Sequence, residues 1–188
     1  MIDRIFQTRR LLVRRLRRSD LSSFHALQSD PLVMKYSAGL PMTEDQNRED
    51  LILLIRSYEQ PENKLRVWAL ERKKDDEFLG TCALVRETEL RYEIGVRIIR
   101  SYWGSGYGKE ITRDLICHAF YALGAEECVA YIWKENAGAV KMAQHFMNFK
   151  KEFYSEKEQM MDQSYQISRQ LFLADCHSSN WNAIGEFE

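Results

Sequence analysis

The chain has 188 residues, 45% of them hydrophobic and 29% charged, which suits one domain with a full-sized core and leaves little room for two. Its 27 Lys and Arg against 28 Asp and Glu give a formal net charge of −1, so no net field draws it toward nucleic acid. No apolar run approaches the roughly 20 residues of a membrane span, and no membrane partner is expected.

Met1 to Phe6 carries Asp3 and Arg4 where a signal peptide would begin its apolar region, so a cytoplasmic protein is expected. The stretch TRRLLVRRLRR looks basic, yet its arginines flank Leu11, Leu12, Val13 and Leu16. An edge strand over Leu11 to Leu16 with solvated arginines fits better than a nucleic-acid arm. Ser19 and Asp20 then offer caps for a short helix carrying Phe24 and Leu27, and a second helical piece follows Asp30-Pro31. Thr43 with Gln46 forms a capping box before a helix bearing Leu51, Leu54, Ile55 and Tyr58. Leu65 to Leu70 and Phe78 to Val85 read as a hairpin around KKDDE, and Arg91 to Ile99 as the next strand. A helical face from Ile111 to Leu123 follows, closed by Gly124. Cys128 to Trp133 is a short strand, Asn136 caps a helix through Phe146, and Asn148 suits a left-handed cap at its end. Phe149 to Tyr154 and Tyr165 to Phe172 close the pattern as strands, and no element is assigned from Ala174 onward. Cys82, Cys117, Cys128 and Cys176 show no paired spacing, so reduced thiols and no metal site are expected.

Between the strand ending near Ile99 and the helix after it lies WGSGYGKE, with glycines at Gly104, Gly106 and Gly108. A Walker A loop fails here, because Trp103 stands where its first glycine belongs and Glu110 where a hydroxyl should bind magnesium. The dinucleotide fingerprint fails too, since counting from Gly104 puts Lys109 at its last glycine. What remains is a glycine loop opening a helix N-terminus, a site suited to pyrophosphate, with a flexible turn as the bland alternative.

These residues carry a resemblance. EIGVRIIRSYWGSGYGKEI is similar to the acetyl-CoA signature of the GNAT N-acetyltransferases, and its W-G-x-G-Y form resembles the RimJ/RimL type, which acetylates ribosomal-protein N-termini. The likeness runs from TRRLLVRRLRRSD to YQISRQLF, and on it the whole of 1–188 is expected to be one acetyltransferase domain. The resemblance implies a mixed α/β GNAT fold: a mostly antiparallel sheet of about six to seven strands, splayed at the cofactor site and flanked by helices. It implies that Ile98 offers main-chain bonds to pantetheine and that the amides of Trp103, Gly104, Ser105, Gly106, Tyr107, Gly108 and Lys109 take the pyrophosphate. Asn136 would bond the pantetheine arm; Ala139 and Asn148-Phe149 depart from the family's serine and Gly-Phe.

The chemistry of the residues agrees with acyl transfer. Gly95 inside an apolar strand suggests a bulge or close approach, with tight packing as the alternative. Glu93, in the same strand, is the candidate base; spacing alone leaves it either buried for a purpose or outward and solvated, and the resemblance favours the first. Tyr154 is the resemblance's candidate acid for the departing thiolate. His118 and His145 read as surface or packing residues. Tyr36, Tyr102, Trp103, Tyr107 and Tyr131 could wall an acceptor groove, whereas Trp68 and Trp133 are assigned to the core. The expected activity is transfer of acetyl from acetyl-CoA to a primary amine, a protein N-terminus or a small molecule, by a monomer or homodimer. A CoA-binding module without turnover is the competing reading.

Overall fold

The computed structural model describes residues 3–36, 41–156, 159–175 and 181. Eight strands form one sheet in the order β1-β2-β3-β4-β5-β6-β8-β7. They are β1 (Arg4–Gln7), β2 (Leu11–Arg14), β3 (Leu65–Arg72), β4 (Glu77–Arg86), β5 (Arg91–Ile98), β6 (Glu127–Trp133), β7 (Asn148–Ser155) and β8 (Met160–Ser168). The helices are α1 (Leu21–Ser29), α2 (Pro31–Met34), α3 (Glu44–Ser57), α4 (Tyr107–Ala122), α5 (Ala137–Phe146) and α6 (Arg169–Asp175). Every strand pair is antiparallel except β5 with β6, whose parallel pairing requires the crossover that α4 supplies.

Alternation along the strands divides the core between the two faces. Trp68 and Leu70 pack with Ile111, Leu115 and Phe120 of α4, while Ala69 between them packs with Phe24, Leu27 and Leu51 of α1 and α3. The capping box of Thr43 and Gln46 is present, and Asp30 accepts from the Leu32 N–H to start α2. The hairpin of β3 and β4 holds its register from Leu65↔Val85 to Arg72↔Glu77, with one bulge between Leu70 and Glu71.

Several expectations are corrected. The sheet edge is β1, a four-residue strand the sequence did not announce, and Leu11–Arg14 lies inside it. Arg14 is therefore not solvated: it is 3% exposed and pairs with Asp20 at 2.8 Å and Glu71 at 2.5 Å. Asn148 takes no left-handed cap but opens β7, because pairing with Gln166 requires extended backbone there. The last strand stops at Ser168, where pairing to Glu127 of β6 ends, and Arg169–Asp175 coils into a helix that buries Phe172 against Phe120. Trp181 packs on Phe146 and Phe172, and its indole N–H donates to Asp175 at 3.3 Å. Cys176 lies outside the described residues; Cys82, Cys117 and Cys128 are buried. Among the described residues no helix is long and apolar enough to cross a membrane, and no His/Cys/Asp/Glu group could hold a metal.

Candidate functional site

The glycine loop follows β5 directly, through a short 3-10 turn at Arg100–Tyr102. Its glycines do different work. Gly104 (φ +74°) and Gly106 (φ +80°) occupy the left-handed region that an L side chain avoids, whereas Gly108 is helical and sits where a Cβ would meet Met142 Sδ of α5 at 3.2 Å. Gly106 is the residue before α4 and gives no side-chain cap. The first intrahelical bond recorded at that end is from Glu110 N–H to Gly106 C=O, so the N–H groups of Tyr107, Gly108 and Lys109 have no intrahelical acceptor. A Cβ at Gly104 would meet nothing within 4 Å, so the outer side of the loop is open backbone. Open amides, a helix dipole and left-handed glycines fit a pyrophosphate.

A clamp that no local spacing revealed fixes the loop. The Arg10 guanidinium donates to Ser105 C=O at 3.0 Å and to Glu110 at 2.6 Å, and lies 4.1 Å from the Tyr107 ring centre. The Glu110 carboxylate also accepts from the Thr8 hydroxyl and from the Arg10 backbone N–H at 2.7 Å. Burial alone would raise the Glu110 pKa, but the bonds from Thr8 and Arg10 outweigh it and hold the carboxyl below its ordinary value. Beside the clamp a hollow of about 280 Å³, lined by Arg9, Arg10, Arg72, Lys73, Lys74 and Tyr107, adds positive charge to this end of the sheet.

On the other side of the loop the sheet splits. Strands β5 and β6 pair only from Arg91–Glu93 to Glu127–Val129 and part beyond that. The split opens a cavity of about 1000 Å³, lined by Thr112, Asn136 and Met142 from the α4–α5 face and by Gln28, Asp50 and Leu54 from the α1–α3 face. Ile99 N–H bonds Leu79 C=O at 2.9 Å, so the alternating antiparallel pattern turns the amides of Val96 and Ile98 away from β4, toward the gap, while the last parallel pair, Glu93↔Val129, takes up the Ile94 N–H. The Ile98 carbonyl accepts from the Trp103 indole at 2.7 Å. Asn136 lines the cavity with its side-chain oxygen engaged as the α5 cap, accepting from Ala139 N–H at 3.2 Å.

Glu93, Gly95 and Arg97 alternate on the α1–α3 face of β5, opposite Val85, Ala83 and Thr81, and all three line the cavity. Gly95 is neither a bulge nor a tight contact: the ladder with β4 is regular and a Cβ there would lie 3.7 Å from Ala83 Cβ. Arg97 donates to Gln28 Oε1, and Gln28 donates to Asp50 at 3.4 Å. Burial lowers the Arg97 pKa while Asp50 opposes it; burial raises the Asp50 pKa while Arg97 opposes it. Sequence reasoning singled out Glu93 and Gly95 but missed Arg97 with Gln28 and Asp50, although Arg97 continues the same period of two along the strand.

Trp133 leaves the core assigned to it and lines the cavity, its ring 5.6 Å from Tyr36. Tyr131 lines it as well, its hydroxyl 3.3 Å from Arg91. Trp68 is a core residue, 4% exposed. Tyr154 is not brought to Glu93: it is 57% exposed and pairs with Met161, while its strand neighbours Phe153 and Ser155 line the cavity. His118 is packed between Phe6 and Trp68 at ring distances of 4.7 and 5.7 Å, and burial lowers its pKa to about 4.

Comparison with known proteins matches this geometry. The Bacillus licheniformis protein p20, described as an uncharacterized N-acetyltransferase, is 29% identical over 147 residues, covering 77% of this chain and 82% of its own. A spermidine N-acetyltransferase from Vibrio cholerae, solved with CoA and spermine, superposes with a TM-score of 0.74 at 18% identity, over 87% of this chain and 98% of its own. RimL, a ribosomal L7/L12 alpha-N-protein acetyltransferase solved with CoA, gives a TM-score of 0.75 at 12% identity, over 88% of this chain and 97% of its own. At such identities the two structures establish the fold. The profile of the acetyltransferase (GNAT) domain matches residues 10–146, and on that match the chain belongs to the GNAT acetyltransferase family.

Proposed function

We propose that the protein moves acetyl from acetyl-CoA to a primary amine by direct attack in a ternary complex. The observation that carries this reading is the split of β5 from β6 immediately after Glu93, which opens a cavity lined from both faces of the sheet. Acetyl-CoA supplies the activated thioester, and the chain's residues do the rest. Gly104 and Gly106 with the first-turn amides of Tyr107, Gly108 and Lys109 hold the pyrophosphate under the α4 dipole, while the Trp103 and Ser105 N–H groups, expected to join them, are spent on Arg100 and Tyr102 C=O and shape the loop instead. The Val96 backbone groups and the Ile98 N–H bond the pantetheine arm as an added strand would, with Asn136 on its other side.

The acceptor enters from the α1–α3 face, between Glu93 and the aromatic wall of Tyr36, Tyr131 and Trp133. Its nitrogen bonds the acetyl carbon as the carbon–sulfur bond breaks, and its proton passes to the Glu93 carboxylate directly or through one water. A thiol of pKa about 8.5 leaves as thiolate without an obligatory acid, which removes the need for Tyr154 at the cavity. The neighbouring structures act on acceptors as different as spermidine and a ribosomal-protein N-terminus, and a RimJ/RimL-type N-terminal amine is one acceptor class proposed here. The test is to incubate the protein with acetyl-CoA and a panel of amines and peptides, following free thiol and product mass. Amine-dependent thiol release with a matching acetylated product is expected; CoA binding without release for every amine would favour the non-catalytic module.

A further inference from the structure

Arg14 and Arg97 are both drawn into the protein, and they are partnered differently. Arg14 is met by two carboxylates, Asp20 and Glu71, as a buried guanidinium requires when its role is structural. Arg97 lies on β5 with its side chain at the cavity, and the partner recorded for it among the described residues is the neutral oxygen of Gln28. Gln28, itself 6% exposed, stands between Arg97 and Asp50, accepting from the first and donating to the second, so the two charges meet through a neutral amide. A guanidinium has five N–H donors and keeps its charge even when burial lowers its pKa. Thr81, directly across the ladder from Arg97 and lining the same cavity, brings a hydroxyl to the same face.

We propose that Arg97, with Thr81 beside it, receives a carboxylate of the acceptor, so that the substrate is an amine whose own molecule carries a carboxylate. The geometry sets the spacing. The sheet opens beside Gly95, where the amine meets the thioester, and Arg97 is the next position on the same face, about 7 Å along the strand. Glu93, one such step the other way, faces the ammonium end. The planar fork of Arg97 suits a two-oxygen anion, and such charge-assisted bonds discriminate more strongly than apolar contact does. Asp50 and Glu93 line the same cavity and define the opposing outcome, an acceptor with a second ammonium in place of the carboxylate.

This inference rests on the amine-acetylation reading, and its test separates the two. Aminovalerate, pentylamine and cadaverine share a five-carbon chain and end in a carboxylate, a methyl and an ammonium. Each is titrated by NMR into the full chain saturated with CoA, and each is then offered with acetyl-CoA. Aminovalerate should bind at least about tenfold more tightly than pentylamine. Arg97→Gln should bring that ratio to about one. Gln28→Glu, which places a carboxylate against Arg97 without removing the cation, should do the same and covers the case in which the Arg97 variant does not fold; CoA affinity reports the fold of both. Equal or tighter binding of pentylamine or cadaverine, or a ratio that survives both substitutions, overturns the carboxylate site. A ten-fold ratio with no acetyl transfer leaves the site standing and defeats the transferase reading. Equal acetylation of all three amines does the reverse.

Discussion

Glu93 is a half-buried carboxylate between Val85 on one neighbouring strand and Val129 on the other, at the last paired position before the sheet opens. A lysine-type amine titrates near 10.4, so at neutral pH it arrives as ammonium and must lose a proton before it attacks. Glu93→Gln keeps the shape and cannot take that proton, so kcat should fall by roughly 10² to 10⁴ while CoA affinity stays within about twofold. The acidic limb of the pH–rate profile should go with it. Wild-type kcat with the same acidic limb in the Gln variant would make Glu93 a structural residue. Gly106 poses a separate question, because φ +80° is a conformation a branched side chain resists and a Cβ there would lie 3.4 Å from Arg10 Nη2. Gly106→Val should weaken CoA binding by tenfold or more, about 1.4 kcal/mol, in calorimetry on a protein that still melts cooperatively. Affinity within twofold of wild type would take the pyrophosphate away from this loop.

Helix α4 joins the site to the core, since its first turn carries the open amides and its inner face carries His118. His118 is buried and neutral, with a folded pKa of about 4 against an ordinary 6.5, so between those values the unfolded chain binds the extra proton and the folded one does not. Its contribution to stability is complete above pH 6.5 and is lost as pH falls toward 4, at most on the order of 3 kcal/mol. Urea unfolding at pH 7 and pH 4.5 should therefore show a larger loss for wild type than for His118→Phe, which packs against Phe6 and Trp68 without titrating. Equal losses would mean that the ring is solvated. The same element shows what sequence could and could not reveal. Its start was legible because glycines and a lysine fall within a few residues of each other, and likewise the cap at Asn136. The clamp was not, because Thr8 and Arg10 lie about a hundred residues from Glu110 and nothing local connects them. Residues 165 to 172 alternate like one strand, yet no partner strand extends past Ser168, and a chain without a ladder partner satisfies its backbone better as a helix.

At the scale of the whole molecule, a sheet with one parallel pair opens a single cavity to both of its faces. The α4–α5 face offers a glycine loop, Asn136 and the open edge of β5, while the α1–α3 face offers Glu93, Arg97 and an aromatic wall. Both faces could be anticipated in part, since the order of strands and helices was readable, but where β5 and β6 part is fixed by three residue pairs and no sequence pattern marks it. On the proposed reading, that architecture sets the kinetic order. A covalent intermediate needs a nucleophile at the cavity, and Cys82, which does line it, is 1% exposed with its thiol pushed far up by burial. On the proposed mechanism, two substrates that enter from opposite faces are instead held together, the acetyl group passes directly, and orientation supplies the acceleration a protein nucleophile would otherwise provide. Initial rates with acetyl-CoA and an accepted amine should give intersecting double-reciprocal lines, and CoA should inhibit competitively against acetyl-CoA. Cys82→Ser, at a position inside the sheet, should retain that pattern whatever it costs in stability. Parallel lines, or an acetylated cysteine in the mass spectrum of protein incubated with acetyl-CoA alone, would place the acetyl group on the protein first and set aside the two-sided reading of the cavity.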